Sequence, residues 1–179
     1  MPEETPALAT TVITKTMMSH AARSCVSTME ILNTQHGNEL STWHLPYYLL
    51  AATALELFPK LYLAKVKEKD NTGAADIESY LRSLGHDLEH LYSEEIIGQE
   101  FLLRAHIKKV ETVKKGQLLT FFYSFHTDFS QYPIQVYHLE SLRYGAMAGQ
   151  RTNAGFAAWQ FDELLELCKN VQLAERSLA

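Results

Sequence analysis

Cysteine, proline and glycine are all scarce in this chain of 179 residues, which carries two, five and eight of them. Two cysteines cannot build the disulfide framework of a small secreted domain. Cys25 and Cys168 both fall on apolar helical faces, which reads as buried, reduced thiols in a cytoplasmic protein. There is no glycine-rich phosphate loop and no G-x-S-x-G elbow. Positive charge is not in excess either: 16 Lys and Arg stand against 21 Asp and Glu, for a formal charge of −5. Such a balance offers no global field for nucleic acid or an anionic membrane, although a net figure hides local patches. Residues 1–11 lack the basic start and apolar run of a secretory signal. The longest apolar stretch, residues 45–64, nearly reaches bilayer-spanning length, but Glu56, Pro59 and Lys60 interrupt it and no Arg/Lys-rich flank orients it, so no membrane is expected.

What is present is ample apolar material, 46% of the residues, enough for one full core. We expect a single domain over residues 11–179 preceded by a flexible N-terminal arm, 1–10. The stretch 45–64 reads as its central helix, wrapped by protein on several sides. Glu56 and Lys60 stand at i,i+4 with the acid on the N-terminal side, the order that pairs along a helix. If buried they must pair, because an unpaired buried ion costs several kcal/mol; the functional alternative is a charged pair lining a ligand crevice between helices. Pro59 removes an amide donor and crowds the carbonyl of Leu55, so a kink or an early end is expected there.

Around that helix the spacing predicts others. Ile13, Met17, Ala21, Cys25, Met29 and Leu32 place a helix over 11–33. Residues 76–84 form a short one, closed by Gly85 at a left-handed cap. His86 to Gly98 begins another, with Asp87 and Glu89 suited to its positive end. Residues 100–113 read as amphipathic helix, and Asn153 caps a last helix bearing Trp159, Leu164, Leu167, Cys168 and Val171. The aromatic run 117–129 fits either a helical face or a strand, and 132–144, which contains Pro133, leaves an extended segment or hairpin open.

Two patterns suggest chemistry. His86-Asp87-Leu88-Glu89-His90 matches H-x-x-E-H. On a helix, His86 and His90 at i,i+4 can share a metal, with Glu163 or Glu166 as a third ligand. The bland reading, a helix start bearing two partly exposed histidines, is preferred, so neither metal nor cofactor is favoured. Gly145, Gly149 and Gly155 make a loop in which Arg143 and Arg151 could receive an anion; a plain connection is the alternative. The lysines at 108, 109, 114 and 115 read as a solvated face, interrupted by Glu111.

The run Ala51-Ala52-Thr53-Ala54-Leu55-Glu56-Leu57-Phe58-Pro59-Lys60 resembles the second-helix signature of HEPN-like helical proteins, which reads A-L-E-x-x-x-K. Gly85-His86-Asp87-Leu88-Glu89-His90-Leu91-Tyr92 is similar to their downstream G-H-D-L-x-x-L segment, and Arg143-Tyr144 to an Arg-Tyr element near the end of some members. The resemblance covers the middle half of the chain. It implies an antiparallel helical bundle, frequently dimeric, of a kind that includes toxin ribonucleases and their partners. Those ribonucleases carry Arg, four to six residues, then His. Here three residues separate Arg82 from His86, one separates Arg104 from His106, and no histidine follows Arg143 or Arg151.

The expectation is therefore an all-α antiparallel bundle of about five to seven helices, with a short extended segment around 130–145. The resemblance implies a non-catalytic HEPN-like domain acting on a protein or RNA partner as a homodimer, in a toxin–antitoxin or stress-response context. The alternatives are a divergent metal-independent ribonuclease using Arg82 and His86, or a metal hydrolase using His86 and His90. Glu56, Lys60, Arg143 and Arg151 are the expected binding residues.

Overall fold

A computed structural model describes residues 5–36, 44–113, 118–123, 134–137 and 161–178. Six α-helices occur among the described residues: α1 (Thr5–His36), α2 (His44–Lys69), α3 (Ala74–Ser83), α4 (Leu88–Ser93), the short α5 (Leu102–Arg104) and α6 (Phe161–Arg176). A π-helical turn, Ile97–Phe101, leads directly into α5. The expected helical bundle is present, and three strands accompany it: β1 (Ile107–Val113), β2 (Leu118–Tyr123) and β3 (Ile134–Tyr137), antiparallel in that order.

Helix α2 is the post of the bundle. It touches α1, α3, α4, α6, the π turn and β3. Residues 58–64 are all buried, and seven consecutive positions span almost two turns, so protein covers every face there. Tyr47, Tyr48, Leu55, Phe58, Tyr62 and Leu63 are the large buried side chains it contributes. Helix α6 seals one flank: the Tyr47 ring meets Phe161 edge-on at 4.9 Å between centroids, and the Tyr47 hydroxyl donates to the Phe161 carbonyl at 3.0 Å. Cys25 on α1 and Cys168 on α6 are free and buried, and burial pushes both thiols above their ordinary range. A thiol kept protonated in an apolar setting is a poor nucleophile.

Pro59 does not end α2, which runs on to Lys69. The missing amide at 59 deprives the carbonyl of Leu55, four residues earlier, of its helical donor. The hydroxyl of Tyr92 on α4 takes that place, donating to Leu55 O at 3.0 Å in the buried core. Burial holds the Tyr92 phenol well above its ordinary value, so it keeps the proton it donates.

Several boundaries differ from expectation, each for a local reason. Helix α1 starts at Thr5, inside the stretch expected as an arm over 1–10. The helix expected over 100–113 stops at Arg104, because Ala105 leaves helical geometry (ψ 2°) and His106 enters the left-handed region at φ 57°. Beyond it, 107–113 is a strand; Ile107, Val110, Thr112 and Val113 supply the β-branched residues that suit a pleated surface. Helix α4 ends where Glu94 turns extended (ψ 132°), so the helix expected from His86 to Gly98 is divided. Gly85 does close the α3 segment in the left-handed conformation, at φ 56°. A Cβ there would meet open space, so the backbone angle alone calls for glycine. The open question over 117–129 and 132–144 resolves to strand at 118–123 and 134–137. Arg143, Arg151, Asn153 and the glycine-rich stretch between them lie outside the described residues.

Candidate functional site

Glu56, Lys60 and His86 meet at the edge of the bundle. The carboxylate of Glu56 is almost wholly buried, its side chain 4% exposed, and Lys60 is 9% exposed. A helical turn apart, they pair at 2.8 Å between Lys60 Nζ and Glu56 Oε1. The Lys60 ammonium also donates to the Gly85 carbonyl, which ties the left-handed turn after α3 to the central helix. That turn carries His86 back over α2, so that its Nδ1 lies 2.9 Å from Glu56 Oε1 and 3.1 Å from Oε2. The pair is thus buried and satisfied, as the structural reading expected, and it lines a crevice.

The hydrogen-bond chemistry sets the state of the histidine. A carboxylate only accepts, so a neutral imidazole in this position must carry its proton on Nδ1. The lone pair of Nε2 is then directed away from Glu56, and the His86 side chain is 51% exposed. A buried carboxylate orienting an imidazole in this manner is an arrangement that serves general-base catalysis and ligand binding alike.

The crevice beside it has a volume of about 330 Å³ and lies between α1, α2, α3 and the Gly85 turn. Met18, Leu57 and Leu81 provide apolar walls, while Lys15 and Arg82 add cations. Arg82 pairs with Glu78 at 2.5 Å, yet its side chain is 79% exposed. Lys15 reaches across to Glu68 on α2 at 2.5 Å. The structure therefore gathers Glu56, Lys60, Arg82 and His86 around one opening, although they come from two separate parts of the chain.

His90 does not join them. It turns toward Glu94 instead, with Nε2 3.8 Å from Oε1. Asp87, between the two histidines in sequence, caps α4 by accepting from the amides of Glu89 at 2.9 Å and His90 at 3.2 Å. That capping role explains the Asp without a metal. Among the described residues no group of three or more His, Cys, Asp or Glu side chains is arranged to hold a metal ion, and Glu166 takes the ammonium of Lys169 at 3.4 Å. No helix among the described residues is long and apolar enough to cross a membrane.

Sequence reasoning did not find Lys15, Met18 or Glu78 as parts of this site, or the Gly85 carbonyl as the second partner of Lys60. Glu78 was within reach, since it stands four residues before Arg82 at helical pairing distance. The residues from α1 had no local signal, because their place depends on how α1 docks on α2. Scans of protein-family models, of curated proteins and of solved structures find no match to this chain.

Proposed function

We propose that this chain is a HEPN-like helical module that acts by binding a partner protein, and that the crevice over Glu56, Lys60 and His86 receives part of that partner. The observation that carries this reading is the composition of the opening: the apolar side chains of Met18, Leu57 and Leu81 stand beside converging charged groups, a combination found in binding pockets. An RNA groove asks for cations in a row with aromatic platforms for the bases. The lining holds no Phe, Tyr or Trp, and His86 is its one ring; the chain as a whole carries −5. The HEPN-like reading also makes the protein a homodimer in a toxin–antitoxin or stress-response setting, with a mass in solution twice that of the 20.4 kDa chain.

A second reading is favoured by one specific feature, the convergence of Arg82 and the Glu56-oriented His86 on the same opening. In a metal-independent ribonuclease, His86 would take the 2′-hydroxyl proton at Nε2 while the Arg82 guanidinium held the phosphate. The two readings separate in one experiment. Purified protein is incubated with end-labelled single-stranded RNA, with and without EDTA. A binding module leaves the RNA at full length in both lanes. Cleavage that persists in EDTA and disappears in His86→Ala would replace the first reading with the second.

A further inference from the structure

We propose that the crevice seats a tryptophan side chain of the partner protein, its indole N–H donating to Nε2 of His86 and its ring lying against Met18, Leu57 and Leu81. The inference rests on the protein-binding reading above and narrows it to one side-chain chemistry.

Hydrogen bonding selects the polar edge of the occupant. With its proton held on Nδ1 by Glu56, the neutral His86 ring offers Nε2 as an acceptor. Its hydrogen bonds run through Nδ1 alone, so Nε2 has no donor among the described residues. Charge removes the ionic candidates. Lys15 is held by Glu68, Lys60 by Glu56 and Arg82 by Glu78. No cation at the opening waits for an anion, and the two carboxylates in the lining, Glu56 and Glu78, are engaged by those cations. What remains is a neutral group that donates.

The walls select what carries that donor. A hydroxyl or amide on a short side chain would gain little from Met18, Leu57 and Leu81. An aromatic body with one donor on its edge suits both the walls and Nε2. Two kinds of lining group favour a ring over an aliphatic chain. The thioether of Met18 packs well at ring edges, and Lys15 or Arg82 can lie over a ring face while keeping its carboxylate. Indole is the better ring: it attracts cations most strongly, and it donates only, so it brings no oxygen that needs a donor of its own. Size and access agree. A space of about 330 Å³ is at the small end of ligand pockets. Its mouth is open, with the Arg82 and His86 side chains 79% and 51% exposed, so it suits one side chain anchored on a larger molecule. Tryptophan is also among the residues that most often act as such anchors.

The test titrates ¹⁵N-labelled full-length protein with the neutral peptide acetyl-Gly-Ser-Trp-Ser-Gly-amide, followed by NMR at a pH where the His86 ring is neutral. Companion peptides carry 1-methyltryptophan, which lacks the N–H, or tyrosine or leucine in place of tryptophan. The tryptophan peptide is expected to bind tightest, about fivefold tighter than its 1-methyl analogue, the gain ordinary for one neutral hydrogen bond. The shifted resonances are expected to centre on the residues that line the crevice. His86→Leu, at a half-exposed position, is expected to bring the tryptophan and 1-methyltryptophan peptides to equal affinity. Equal affinity of those two peptides for the native protein, tighter binding of the tyrosine or leucine peptide, or shifts centred elsewhere would each overturn the assignment. So would an unchanged ratio in His86→Leu, or no binding up to about 10 mM peptide. RNA cleavage dependent on His86 would instead overturn the protein-binding reading itself, whatever the peptides do.

Discussion

Replacing Glu56 by leucine is expected to destabilise the protein by about 3–5 kcal/mol, because it leaves the nearly buried Lys60 ammonium without its counter-charge. For a domain of this size that is a fall in Tm of roughly 10 °C. The argument comes from burial and geometry together. Both side chains are more than nine-tenths buried and they touch at 2.8 Å. Removing one leaves the other nearly buried with an uncompensated charge, held only by the Gly85 carbonyl for Lys60 or by His86 for Glu56. Lys60→Met alone should cost a similar amount, since it leaves Glu56 with only His86. The double substitution Glu56→Leu/Lys60→Met is expected to recover most of the loss, because two apolar groups of similar volume need no partners. Urea denaturation of the four proteins gives the coupling directly. A cost below about 1 kcal/mol for Glu56→Leu would mean that the pair is solvated.

The second large effect is expected at Tyr92. Tyr92→Phe keeps the ring and removes only the hydroxyl that satisfies Leu55 O. A buried carbonyl left without a donor costs about 1–3 kcal/mol. Pro59 is the reason this carbonyl lacks its helical donor, so Pro59→Ala should cancel most of the loss by restoring an amide. Tyr92→Phe is therefore expected to be costly in the native background and nearly neutral in the Pro59→Ala background. Thermal unfolding of the four variants checks it. Equal costs in both backgrounds would show that the hydroxyl and the proline act independently.

These two positions also show what sequence can and cannot convey. The central helix was legible because almost every residue from 45 to 64 is apolar, and a helix that is apolar all round must be enclosed. The pairing of Glu56 with Lys60 was legible because it is local, one helical turn. The hydrogen bond from Tyr92 was half legible: Pro59 announces an orphan carbonyl at Leu55, but the donor lies 37 residues on and only the packing of α4 on α2 selects it. His86 was singled out from its motif, yet its partner is not His90, four residues away on the chain. It is Glu56, 30 residues back, reached because Gly85 turns the chain in the left-handed sense. The misjudged stretch, 107–113, fails for a similar reason. Its charged and apolar residues fit a helical wheel about as well as a pleat. The register against 118–123, with Val110 opposite Phe121 and Val113 opposite Leu118, decides the matter. Such pairing joins two neighbouring segments and is not contained in the residue pattern of 107–113 alone.

The most direct test of this account is the protonation pattern of His86, read from a two-bond ¹H–¹⁵N correlation spectrum of the imidazole at a pH where the ring is neutral. The interlocked Glu56, Lys60 and His86 side chains predict a single tautomer with the proton on Nδ1, lost to the ordinary solvent-averaged mixture in Glu56→Gln. A ring that already shows the mixture in the native protein, or carries its proton on Nε2, would mean that the buried carboxylate does not hold the histidine and that the crevice has no organised floor.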